Sequence, residues 1–196
     1  MTTKHIIITA GDPLGIGPQV LVKALKKAKA KGVRFTVIGE EQSLIAAGWQ
    51  NAMGVLIPVK SNFKKPSTPK PCAYGGDISF KALKLAVDMM LSKQADALVT
   101  APLSKEAWAK AGINFTGHTE YLHARAKKED ALMMFSSGKI NCALVTEHYK
   151  IKDLSKAVTK EKIINAAKIF AQVLGKAAPI GIAALNPHAG DGGKLG

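Results

Sequence analysis

Only two of the 196 residues are arginines, Arg34 and Arg125, although the net charge is +14. The other 26 basic residues are lysines, spread in ones and twos, with "KALKKAKAKG" (23–32) the densest run. Arginine is the side chain suited to bidentate contacts with phosphates and base edges, so its scarcity argues against sequence-reading nucleic-acid binding. A lysine-rich surface instead favours the approach of small anionic substrates. Cysteine is equally sparse. Cys72 and Cys142 have no metal-ligand or redox spacing, which fits reduced thiols in the cytoplasm. No apolar run reaches the ~18 residues of a membrane span, and "MTTKHIIITAGD" meets acid and proline too soon for a secretory signal. Neither G-x-G-x-x-G nor a G-K-[ST] phosphate loop occurs in the first glycine-rich stretch. These absences leave a soluble, cytoplasmic globular protein, for which 47% hydrophobic and 21% charged residues is ordinary.

Apolar patterning then predicts elements. "HIIITA" (5–10), "RFTVIG" (34–39), "GVLIPV" (54–59) and "ADALVTAP" (95–102) read as strands or strand ends. Helices are expected from the first glycine loop to about Lys31, over 41–48, and from an Asp77 N-cap with Phe80, Leu83, Val87, Met90 and Leu91 on one face. The proline- and lysine-rich 60–71 reads as an exposed connection. Further on, 104–112 and 118–128 read as helices, 131–135 and 141–147 as strands. Thr159 caps a helix ended by Gly175, and "PIGIAALNP" (179–187) reads as a last buried strand. Strands alternating with helices predict an α/β protein with a largely parallel sheet.

In such a sheet, chemistry gathers in the loops beyond the carboxyl ends of the strands. Four loop regions carry the unusual residues: 11–18, 100–105, 116–120 with 146–148, and 186–193. "GDPLGIGP" (11–18) contains Asp12, an odd residue to aim at a phosphate, and reads equally as a tight turn. "TAPLSK" (100–105) offers Lys105 to an anion. "GHTEYL" (117–122) places His118, Thr119 and Glu120 at a helix start, where Thr119 can cap and Glu120 suits the dipole, leaving the histidine unexplained. "VTEHY" (145–149) and "NPHAGDGG" (186–193) set His148 and His188 just past strands, where two neutral imidazoles can share a metal. Zinc normally takes three or four protein ligands; Asp191, in the same turn as His188, is an awkward third.

Together, "GDPLGIGP", "ALVTAPLSK", "INFTGHTEYL", "LVTEH" and "ALNPHAGDGG" resemble the 4-hydroxythreonine-4-phosphate dehydrogenase family of pyridoxal phosphate (vitamin B6) biosynthesis, from Ile6 to Gly196. The resemblance implies two α/β/α domains of the isocitrate and isopropylmalate dehydrogenase type, expected here at 1–104 and 105–196. It also implies a homodimer with a shared active site. The implied reaction is NAD- or NADP-linked oxidation of 4-phosphohydroxy-L-threonine, with decarboxylation to 3-amino-2-oxopropyl phosphate. By motif match, His118 and Thr119 contact substrate. His148 and His188 bind a divalent metal (zinc, cobalt, manganese or magnesium), with Asp12, Lys105 and Asp191 in support. Leu14, Gln19 and Asp191 depart from the family's usual alanine, glutamate and glutamate. Family members continue past the glycine-rich turn, so a third metal ligand and other substrate and NAD residues are expected beyond Gly196. Two other readings stay open: a dehydrogenase of a related phosphorylated four-carbon hydroxy acid, and a truncated, non-catalytic ligand-binding protein.

Overall fold

The computed structural model describes residues 3–28, 31–126, 131–175 and 179–195. The chain divides into two compact units, Met1–Lys127 and Lys128–Gly196.

In the first unit, β1 (Lys4–Thr9), β2 (Val33–Gly39), β3 (Val55–Pro58) and β4 (Ala97–Thr100) form a parallel sheet in the order β3-β2-β1-β4. Ile6 pairs with Phe35 on one side and Ala97 on the other, so β1 is central. Strands covered on both faces need apolar residues of both parities, and these have them. Ile8 and Val37 face a cluster with Leu21 and Val22 of α1 (Gly17–Lys27), Leu44 of α2 (Glu41–Ala46) and Trp49. Ile7 and Ile38 point the other way, onto Ala82 and Ala86 of α3 (Ala73–Leu91). The α/β class follows from this layering.

α3 begins at Ala73, so Asp77 lies inside it rather than capping it. The glycine pair Gly75–Gly76, which looks like a loop in sequence, serves close packing: a Cβ on Gly76 would stand 2.0 Å from the Ala107 carbonyl oxygen. Asp77 instead accepts hydrogen bonds from Ser61, Asn62 and Lys81, pinning the start of the 60–71 connection. Burial alone would raise its pKa, but these partners, Lys81 foremost, hold it below the usual carboxylate value. The buried face of α3 also differs from expectation at its end, where Leu91 is 52% exposed.

α4 (Lys105–Lys110) and α5 (His118–Ala126) belong with this unit. Trp108, fully buried, donates its indole N–H to Ser79 on α3 at 2.9 Å. Tyr121, Phe80 and Phe115 complete an aromatic cluster around it. The compact units therefore part after α5, whereas the expected domain division lay at 104/105.

The second unit holds β5 (Met134–Ser136) and β6 (Asn141–Ala143), which pair antiparallel, then α6 (Ile151–Ala157) and α7 (Lys160–Leu174). Thr159 caps α7 by accepting from the Lys162 N–H at 3.3 Å, and Gly175 ends it at φ 63°. α6 has no signature in the apolar patterning; its Ile151 is 92% exposed, so it lacks the apolar stripe that marks a helix. The last buried strand is not formed. Among the described residues no strand lies beside 179–187, and Ile182 and Leu185 are exposed. An apolar run cannot be a strand without a partner for its backbone. No helix among the described residues is long and apolar enough to cross a membrane.

Candidate functional site

At the carboxyl ends of β1 and β4, the first unit brings several of the expected residues to one edge. β1 and β4 are neighbours on which the strand order turns back, the place where ligands bind in open α/β sheets. The two following loops are tied together: the Asp12 N–H donates to the Pro102 carbonyl at 3.1 Å. Gly11, at φ 73°, lies so close that a Cβ there would stand 2.1 Å from the Pro102 oxygen.

Asp12 itself is buried, and its Oδ1 accepts from the Leu14 N–H at 2.9 Å. The carboxylate sits against Gly75, where a Cβ would be 2.3 Å from Oδ1. Burial pushes its pKa up, against the pull of the Leu14 hydrogen bond. Gly17 in turn packs on the Ala10 carbonyl, 2.2 Å from a would-be Cβ. The faces of Gly11 and Gly17 are thus filled by the protein's own backbone, and no residue of this loop is assigned to NAD or NADP.

Beyond β4, Ser104 caps α4 by accepting from the Ala107 N–H at 3.1 Å. Lys105 follows, exposed, with its Cε 3.5 Å from where a Cβ on Gly117 would stand. Next to Gly117, His118 is half-buried, its ring 6.2 Å from that of Trp108 at an interplanar angle of 62°. Burial lowers its pKa below 6.5, which keeps the imidazole neutral at pH 7. Thr119 is exposed and does not cap α5. Glu120, in the first turn, folds back on the preceding loop, its carboxylate accepting from the Thr116 N–H at 2.6 Å and the Thr116 hydroxyl at 2.8 Å. These bonds, the backbone one first, lower the Glu120 pKa. His118 and Thr119 have no side-chain hydrogen-bond partner among the described residues, and both are open to a ligand.

A further cluster, with no motif to mark it in the sequence, sits at the end of β2. Glu40 is buried; its Oε1 accepts from the Tyr74 hydroxyl and from Lys65 Nζ at 3.0 Å, while its Oε2 is buried without a partner. Burial, and then Glu40 itself, push the Tyr74 phenol well above its usual pKa. Nothing in composition separates Glu40 from a surface acid; only its place directly after a buried strand is a hint.

The second unit carries His148, His188 and Asp191, all exposed. Each has a positive φ: 53°, 51° and 47°. Residues 188–192 all lie in the left-handed region, a continuous mirror-image turn closed by Leu195 N–H to the Gly190 carbonyl at 3.1 Å. Each non-glycine residue there carries a penalty of roughly 1–2 kcal/mol. Such outliers gather at ligand sites. Beside the turn is a cavity of about 500 Å³ lined by Val145, Val158, Ile163, Ile182 and Leu185, with Ala189 and Gly190 at its edge. It is apolar, and neither histidine lines it. Two imidazoles suit a borderline divalent ion in donor type. Among the described residues, however, no three His, Cys, Asp or Glu side chains come together to hold one. The donors present are a partial set.

The profile of the family described as "Pyridoxal phosphate biosynthetic protein PdxA" matches residues 12–196. A 4-hydroxythreonine-4-phosphate dehydrogenase from Caulobacter vibrioides is 36% identical over 231 aligned positions, covering 100% of this chain and 67% of that protein. A D-threonate 4-phosphate dehydrogenase from Salmonella typhimurium is 31% identical, covering 100% of this chain and 68% of its own length. Among solved structures, the 4-hydroxythreonine-4-phosphate dehydrogenase from Klebsiella pneumoniae superposes with a TM-score of 0.84 at 27% identity, over 99% of this chain and 66% of that one. The chain spans about two thirds of the length of the curated relatives it matches. A family profile matched along nearly the whole sequence, and a fold shared with a solved relative, place this chain in the PdxA family of pyridoxal phosphate biosynthetic proteins.

Proposed function

We propose that the chain serves an NAD- or NADP-linked dehydrogenase acting on a phosphorylated four-carbon hydroxy acid, with 4-phosphohydroxy-L-threonine as the first candidate. That substrate would be oxidised at its 3-hydroxyl and lose carbon dioxide to give 3-amino-2-oxopropyl phosphate, a step of vitamin B6 synthesis in the cytoplasm. The observation that carries this reading is the uncommitted His118–Thr119 pair at the carboxyl edge of the sheet, within a sequence matched along its length by dehydrogenases.

The roles follow from chemistry. Trp108 fixes the His118 ring edge, and burial keeps that ring neutral, so one nitrogen accepts a proton or hydrogen bond while the other donates. The Thr119 hydroxyl donates or accepts beside it and orients the substrate oxygen. His148 and His188 would hold a divalent ion, which when bound lowers the pKa of the substrate hydroxyl. NAD or NADP, when bound, supplies the hydride acceptor. We place the working form as a homodimer.

The similarity to a D-threonate 4-phosphate dehydrogenase favours a second reading, D-threonate 4-phosphate, which lacks the amino group.

The test is NADH formation, followed at 340 nm, from each of the two substrates with and without added zinc, cobalt, manganese or magnesium. Metal-dependent turnover with one substrate supports the reading and chooses between the two. Binding of substrate without turnover would leave a ligand-binding protein. Folded protein that neither binds nor turns over either compound would sink the proposal.

A further inference from the structure

We propose that Lys105 is the side chain that pairs with an anionic group of the substrate held at His118 and Thr119, so that it sets specificity for charged over neutral hydroxy acids. The inference rests on the reading of that pair given above and adds to it a residue from a different loop.

Three observations carry it. Lys105 belongs to the β4–α4 loop, yet its aliphatic chain reaches across to the α5 loop, with Cε 3.5 Å from a Cβ position on Gly117. A glycine immediately before His118 leaves that path open. Next, the ammonium is uncompensated. Glu106, its neighbour in sequence, is engaged by Lys110, Glu120 is engaged by Thr116, and Lys105 has no hydrogen bond or ion pair among the described residues. Finally, the backbone that carries Lys105 is anchored: α4 is capped by Ser104 at its start and fixed by buried Trp108 one turn later. A positioned cation beside a neutral imidazole and a hydroxyl is suited to an oxyanion rather than to a neutral sugar-like diol.

The anionic group is a phosphate or a carboxylate, since both present the same charged oxygens. The test is calorimetric titration of the full chain and of Lys105→Met, Lys105→Arg and Thr119→Val. The titrants are D-threonate 4-phosphate and D-threonate, each at low and high salt. Melting curves for every variant confirm folding. Loss of one charge-assisted hydrogen bond predicts a roughly 10- to 100-fold weaker affinity for Lys105→Met, with most of it kept by Lys105→Arg. The salt dependence of binding should flatten in Lys105→Met. A loss confined to the phosphorylated ligand assigns Lys105 to the phosphate; an equal loss for both assigns it to the carboxylate. Lys105→Met binding as tightly as the unaltered chain, while Thr119→Val binds weakly, overturns the role of Lys105 and leaves the site reading intact. If the unaltered chain binds neither ligand, nor 4-phosphohydroxy-L-threonine titrated in the same way, the site reading fails and this inference fails with it.

Discussion

The two units of this chain use similar composition to different effect. In the first, Ile7, Val22, Val37, Ile38, Leu44, Ile78 and Trp108 are wholly removed from solvent, and helices cover both faces of one sheet. In the second, the only buried hydrophobic residues are Ala157 and Phe170 among those described, and Ile140, Ile151, Val173 and Ile182 stand in water. The difference lies in partners, since "GIAAL" is as apolar as "HIIIT". A parallel strand gains its stability from neighbours on two edges and two faces, and 179–187 has no such neighbour among the described residues. The candidate chemistry is split the same way. His118 sits on a rigid aromatic floor, whereas His148 and His188 are on thinly packed loops with strained backbone.

The sharpest way to break this contrast is to empty the well-packed side. Trp108→Ala should destabilise the first unit by about 3–5 kcal/mol, read from urea denaturation, because the indole fills the junction of α3, α4 and α5 and satisfies Ser79. A loss under 1 kcal/mol would mean that this junction is looser than its geometry. A smaller effect concerns His118. Its folded pKa is depressed, so the unfolded chain binds the extra proton first as pH falls. Its contribution to stability is therefore complete above about pH 6.5 and declines as pH drops from there towards the folded pKa. His118→Gln should remove that part of the pH slope in denaturation midpoints, and an NMR titration should place the imidazole below 6.5. An imidazole titrating above that value would show that the ring is not shielded as described. The smallest change is expected on the other side of the comparison. Ile151→Lys, at a 92% exposed site, should stay within ~0.5 kcal/mol of the unaltered chain. A loss of several times that amount would show that the second unit relies on this face after all.

Much of the first unit was legible from residue order. β-branched runs ending in glycine loops marked β1 and β2, and their alternating parity matched the two covered faces. The Thr159 cap and Gly175 stop were legible too, because both act within one turn of chain. What escaped depends on distant partners. Gly75 and Gly76 look like a loop until Asp12 and Ala107 are seen to occupy the space beside them. The 131–135 and 141–147 runs carry strand-like patterning, but nothing local says that they pair antiparallel. In the site, His118 and Thr119 stood out as residues that no cap needed. Local spacing suggests Thr119 as a cap, whereas in the structure it lies inside α5 and Glu120 ties the first turn back to Thr116. The aromatic floor beneath His118 was invisible, since Trp108 lies ten positions away on a different helix.

The mirror-image turn at 188–192 has a consequence for anyone who builds this segment chemically. Its backbone has the handedness natural to D-amino acids, and only Gly190 and Gly192 are indifferent to that choice. A semisynthetic chain with D-alanine at position 189 would therefore hold this turn with less strain than the ribosomal one. Stereochemistry becomes a probe here: inverting one α-carbon tests whether His188 is presented by that particular twist, without altering a single side-chain atom.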